Sequence, residues 1–241
     1  MKPTTEAGTI LAFGAHPDDI EFGCGAVIAA ETAAGRKVHW VVGSKGEAAS
    51  NGTPAIRTRE ARRAAKLLGA TIEFVDLGGD AHFAATPART ILLAGLIRKV
   101  RPAVVLAPSV VENQHPDHVC LGRMVRDAAR LARFGGLKEL RRVKPHAIGQ
   151  LLFYAVTPEA EPVDGARVLV DVSNPAVVAA WTAAMEAHAS QLRTRNYVEL
   201  QLVRARLNGL RAGLEHAVPL FPAEALVVDS LAALGRGARR Y

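Results

Sequence analysis

The chain has 241 residues, 49% hydrophobic and 22% charged, enough to bury one substantial core. Its formal charge of +7 raises the question of nucleic acid. The basic residues are scattered, however (Arg57, Arg59, Arg62, Arg63; Arg123, Arg126, Arg130, Arg133; the tail 236–240), with no aromatic-interleaved stripe and no helix-turn-helix spacing, so no nucleic-acid partner is expected. No run approaches the ~18 apolar residues of a membrane span, residues 1–6 lack the apolar core of a secretory signal, and two cysteines are too few for a disulfide framework. A cytoplasmic chain with no membrane partner is the expectation.

Residues 9–13 are an apolar run that predicts the first strand. The run ends at Gly14 in a polar knot of His16, Pro17, Asp18, Asp19 and Glu21. Small apolar residues predict a helix over 21–34, closed by Gly35. A second strand is predicted at 38–42 and a turn-rich loop at 43–53. Thr53-Pro54 opens a helix that carries Ile56, Ala61, Ala64, Leu67 and Leu68 at helical spacing and ends at Gly69. A third strand over 71–75 leads into the loop of Asp80 and His82. Next come a helix at 87–100, a strand at 103–107, a second polar knot ending in His115-Pro-Asp-His118, and a helix at 119–133. Strands at 150–155 and 167–172 and two helical pieces within 175–213 complete the pattern, and the stretch from 219 carries no clear signal. The alternation predicts one α/β domain over 1–241, Rossmann-like, with a mostly parallel sheet and helices on both faces.

Both polar knots follow strands, and in a doubly wound sheet such strand ends can meet where the strand order switches, which is where these folds bind ligands. Together they supply His16, Asp18, Asp19, His115, Asp117 and His118. Adjacent carboxylates repel one another unless positive charge lies among them. Imidazole mixed with carboxylate suits zinc, with three protein ligands and a water making an open, catalytic site. Zinc lowers the pKa of its water to about 7, a neighbouring carboxylate can take the proton, and a second imidazole can steady an oxyanion or protonate a leaving amine. These are the parts of metal-assisted amide hydrolysis. Spacing leaves open which of Asp18 and Asp19, and which of His115 and His118, would hold the metal.

Gly14-Ala-His-Pro-Asp-Asp-Ile-Glu21 paired with His115-Pro-Asp-His118 resembles the LmbE-like (PIG-L) family of zinc-dependent N-acetylglucosamine deacetylases. The resemblance implies one Zn2+ per chain on His16, Asp19 and His118, with Asp18 as general base. It also implies that His115 stabilises the tetrahedral intermediate and assists amine departure, oriented by Asp117. The implied reaction removes acetate from a 2-acetamido sugar. Ser50-Asn-Gly-Thr53 with Ile56-Arg57, Ser190-Gln191, Tyr197-Val-Glu199 and Pro222-Ala-Glu224 resemble the bacillithiol-pathway branch, which deacetylates N-acetylglucosaminyl-malate, and so imply Arg57 and Tyr197 at the substrate mouth. Two features depart from that branch: Asn113-Gln114 stands where Asp-Arg is frequent, and the segment between Gln191 and Tyr197 is shorter. The alternative is the same chemistry on a chitooligosaccharide or a thiol-conjugate amide. Relatives form oligomers, so the implied partners are a small N-acetylated sugar and further copies of the chain, as a trimer or hexamer.

Glu47 and Asp80 lie in loops facing the same crevice and are candidates for binding sugar hydroxyls. Glu21, one turn into its helix, reads as a structural hydrogen-bond partner, and Cys24 and Cys120 as buried apolar residues. His39, His82, His146, His188 and His216 stand alone and read as non-ligands, and Arg193, Arg195 and Asn196 as a solvated helix end. Gly23-Cys-Gly25 offers a distant alternative, a nucleotide-binding Rossmann protein. The third glycine of that fingerprint is missing, and the preceding carboxylates would repel a pyrophosphate.

Overall fold

Ile10–Gly14 forms strand β1, buried along its whole length. A run of apolar residues without alternation has no face to give to water and belongs at the centre of a sheet covered on both sides. The computed structural model, which describes residues 8–112 and 115–238, places it there. The further strands are β2 (Val38–Val42), β3 (Thr71–Phe74), β4 (Val104–Pro108), β5 (Gln150–Tyr154), β6 (Val168–Asp171) and β7 (Ala217–Pro222). They form one sheet of order β3-β2-β1-β4-β5-β7-β6. The first five pair in parallel, and β7 pairs antiparallel with both β5 and β6. The expected mostly parallel α/β architecture is therefore the one observed.

Among the described residues, six α-helices cover the sheet: α1 (Asp19–Ala33), α2 (Pro54–Leu67), α3 (Pro87–Val100), α4 (Pro116–Leu131), α5 (Pro175–Glu186) and α6 (Tyr197–Arg211). Proline stands in the first turn of α2, α3, α4 and α5, where its missing N–H is no loss, and Thr53, Thr86 and Asn174 accept first-turn N–H groups as caps. Helices α3 and α4 pack over one face around Leu11, Phe13, Leu93, Ile97 and Met124. The other face holds α1, α2 and α5 around Trp40, Ile28, Leu68, Trp181 and Met185. No described helix is long and apolar enough to cross a membrane.

Three features differ from expectation. Helix α1 begins at Asp19 rather than 21, and α4 at Pro116 rather than 119, because Pro116 takes the first helical position behind a His115 cap. Asp19 and His118 therefore lie in first helical turns instead of loops. Strand β7, unpredicted, is disguised by Pro219 and Pro222. Its ladder with β5 involves only Phe221 and Pro222, so Pro219 has no ladder partner on that side.

Gly23 and Gly25 have a packing explanation. A Cβ on Gly23 would lie 2.1 Å from the ring of Tyr154, and one on Gly25 would lie 2.8 Å from the indole of Trp181. These aromatics are anchored close to the helix, Tyr154 donating to the Phe13 carbonyl and Trp181 to the Glu21 carbonyl, each at 2.7 Å. The glycines that suggested a nucleotide loop are needed to seat α1, and that alternative loses its motif.

Candidate metal centre

The strand order reverses at β1, whose neighbours are β2 and β4, so the segments leaving β1 and β4 open into one crevice at the carboxyl edge. There His16 Nδ1 and His118 Nε2 come within 3.2 Å. Asp19 completes a triangle, its Oδ1 2.9 Å from His118 Nε2 and its Oδ2 3.6 Å from His16 Nδ1. Tetrahedral zinc with bonds of about 2.0–2.1 Å needs ligand-to-ligand edges of about 3.3 Å, which these distances straddle. The triangle is held from below, because Asp19 Oδ2 also accepts the N–H groups of Ala15 and His16 at 2.8 and 2.9 Å. All three side chains are buried, and the donor set suits a divalent ion of zinc's type.

The other ring nitrogen of His16 faces two more carboxylates, Asp80 Oδ1 at 3.0 Å and Asp117 Oδ2 at 3.2 Å. Asp117 also accepts the N–H groups of Ala81 and Phe83. Asp117, expected to orient His115, meets it more loosely than it meets His16. Its nearest oxygen is 3.9 Å from His115 Nδ1, and the Asp117 backbone N–H donates to that nitrogen instead. Both Asp117 oxygens are already engaged by His16 and by the loop between β3 and α3. His115 itself is 40% exposed and meets the His16 ring edge-on at 4.7 Å.

Asp18 stands at the head of α1 with φ of 127°, a conformation that costs a non-glycine residue about 1–3 kcal/mol. It makes no capping bond; Arg57 Nη2 donates instead to its Oδ2 at 3.1 Å and to the Pro17 carbonyl at 2.8 Å. Arg57 reaches this position past Gly46, where a Cβ would lie 2.1 Å from the guanidinium.

The electrostatics follow from burial among carboxylates. Burial opposes charge on His16, but Asp19, Asp117 and Asp80 outweigh it and push its pKa up to about 12. Burial likewise opposes charge on Asp19, yet His118 and His16 hold it well below the usual carboxylate range. Asp18 goes the other way: burial, only partly offset by Arg57, pushes it up to about 6. Burial and the neighbouring His16 lower His115. Surroundings that hold a proton so firmly on an imidazole attract positive charge, and a cation competes with that proton for the same lone pair.

The site opens into a cleft of about 450 Å³. Of the residues expected at the substrate mouth, Arg57, Tyr197 and Asp80 line it. Glu47 does not; its carboxylate accepts the N–H groups of Lys45 and Asp80 and so braces the Asp80 loop. Gln191, Gln201 and Thr157 also line the cleft and were not singled out as site residues. Gln201 follows Tyr197 by four residues on α6, so helical spacing was a usable signal. Gln191 is tied to the Asn51 carbonyl and to Ser190, which binds Glu60. Behind α1, Glu21 makes its expected structural bond, to a partner that had read as solitary, His188, at 2.7 Å. Neither cysteine joins a metal-competent cluster among the described residues. Asn113 and Gln114, where the chain departs from the bacillithiol branch, lie outside the described residues.

The profile of the family described as PIG-L, GlcNAc-PI de-N-acetylase, matches residues 11–129, a span that includes both polar knots. The chain is 28% identical over 166 residues to the 4-oxalmesaconate hydratase of Pseudomonas putida. It is 30% identical over 169 residues to the diacetylchitobiose deacetylase of Thermococcus kodakarensis. Each match covers 64% of this chain and 62% of the relative, just under two thirds of those proteins' length. Among solved structures, the conserved protein TT1542 from Thermus thermophilus superposes with a TM-score of 0.80 at 31% identity, over 91% of this chain and 97% of that one.

Proposed function

Residues 11–129 match the PIG-L (GlcNAc-PI de-N-acetylase) family, and from that premise we propose that the chain is a zinc-dependent N-deacetylase acting on an N-acetylglucosamine conjugate. The observation that carries this reading is the triangle of His16, Asp19 and His118 with Asp18 beside it, at the floor of a cleft of ligand size. A zinc ion held by that triangle supplies a Lewis acid that polarises the amide carbonyl and acidifies a water molecule.

The remaining work falls to the chain's own side chains. Asp18 takes a proton from the attacking water. With a pKa of about 6 it is mostly ionised at neutral pH yet basic enough to hold that proton. Arg57 fixes its carboxylate. His115, at the mouth of the site, steadies the oxyanion and protonates the nitrogen as the C–N bond breaks, releasing acetate and a free amine. Asp117 and Asp80 position His16 through its second nitrogen. Tyr197, Arg57 and Asp80 contact the sugar. Within this proposal the substrate is N-acetylglucosaminyl-malate of bacillithiol synthesis, and the enzyme is a cytoplasmic homo-oligomer.

Acetate release from N-acetylglucosaminyl-malate, N-acetylglucosamine and diacetylchitobiose by protein carrying one zinc tests the reading. Release from at least one sugar, with the highest kcat/KM on the malate conjugate, is expected; no release from any overturns it. The Pseudomonas putida relative favours a second reading, addition of water to an unsaturated carboxylic acid at the same centre. Consumption of 4-oxalmesaconate without acetate release from any sugar would establish that reading instead.

A further inference from the structure

His16 presents a ring nitrogen to each of two clusters. Nδ1 faces Asp19 and His118, while Nε2 faces Asp80, Asp117 and His115, and the donor atoms of each group lie within 4.8 Å of one another. We propose that the Nε2 face is a second zinc site, so that His16 bridges two ions. The inference rests on the first site of the proposed function.

The geometry matches what zinc requires. The edges are 3.0 Å from His16 Nε2 to Asp80, 3.2 Å to Asp117, and 3.9 Å from His115 Nε2 to Asp80, the nitrogen left over when His115 Nδ1 accepts the Asp117 N–H. They bracket the edge of about 3.3 Å of a tetrahedral site. Asp117 is fixed by two backbone N–H groups, and the N–H of Asp80 is held by Glu47. Three of the four donors are buried, and His115 at the mouth leaves an entry path.

The charge balance points the same way. Among the described residues, the ion pairs of Asp80 and Asp117 are with His16 and His115 alone. The nearby guanidinium, Arg57, is committed to Asp18. A first cation on Nδ1 leaves two buried carboxylates facing one imidazole N–H and three backbone N–H groups, dipoles in place of a full positive charge, and a dication offsets that negative surplus. On binding, the N–H bond at Nε2 breaks, its proton goes to the buffer, and a nitrogen–zinc bond replaces it. The second ion also engages His115, so zinc beyond one equivalent slows turnover.

Metal-free full-length protein titrated with zinc chloride, followed by calorimetry and by elemental analysis after gel filtration, tests the proposal. Two binding events are expected, a tight one and a weaker one. His115→Asn should weaken the second at least tenfold and leave the first unchanged, which also reports that the variant folds. Asp80→Asn should weaken the second at least tenfold and the first by less, since Asp80 also positions His16. Saturation at one equivalent, or a second event unaltered in both variants, overturns the proposal and leaves the deacetylase reading intact. Absence of the first event overturns the deacetylase reading.

Discussion

Two regions of this molecule bury charge in opposite ways. Arg98 in α3 is 2% exposed and its guanidinium donates four hydrogen bonds to backbone carbonyls: Ala132 and Phe134 beyond the end of α4, and Leu140 and Val143. The end of a helix favours a cation, so charge and acceptors match and nothing further is needed. At the opposite edge of the sheet, Asp18, Asp19, Asp80 and Asp117 gather around His16, His118 and a single guanidinium, leaving a negative surplus. Arg98 ties loops to a helix, whereas the carboxylate cluster remains poised for a cation. Surplus, more than burial, separates a working site from a structural one.

The strongest way to break the comparison is at the surplus. Asp18→Asn should lower kcat for deacetylation by about 10²–10⁴-fold, the usual worth of a general base, while elemental analysis finds zinc unchanged. Turnover within tenfold of the parent would move the base elsewhere. Arg98→Met tests the structural side. It strands several buried carbonyls and should cost about 3 kcal/mol in urea unfolding, with zinc content and kcat of the folded protein preserved.

The mildest test concerns the buried Glu21–His188 pair, which lies between these extremes because its charges balance. Burial works against charge on His188, but Glu21 overcomes it and raises the pKa above its ordinary value near 6.5. A group raised on folding contributes fully below its unfolded pKa and loses that contribution as pH rises through the folded value. Urea stability should therefore fall above pH 6.5, by at most about 1.4 kcal/mol per pH unit, and His188→Gln should flatten that slope. A slope unchanged in the variant would assign it to other groups.

Much of the molecule was legible in the chain because its signals are local. Apolar runs bounded by glycine and proline marked β1 to β6 to within a residue or two, and Thr53-Pro54 marked the start of α2. What escaped depended on distant neighbours. Strand β7 was hidden by Pro219 and Pro222, each of which takes part in the ladder on one side only, Pro219 with β6 and Pro222 with β5. Asp117 is two residues from His115 in sequence but spends its carboxylate on His16 and on a loop more than thirty residues away. Glu47 shares a loop with cleft residues yet faces Lys45 and Asp80.

The chain alone determined which donors exist and that they follow β1 and β4, since strand ends and polar knots are written in short-range patterns of burial and turn chemistry. It could not determine which face of His16 each carboxylate meets, because that depends on how the crossovers through α1 and α3 bring three separate strand ends together. Distances of about 3 Å between residues a hundred positions apart are fixed by packing on both faces of the sheet, and only the folded structure supplies them.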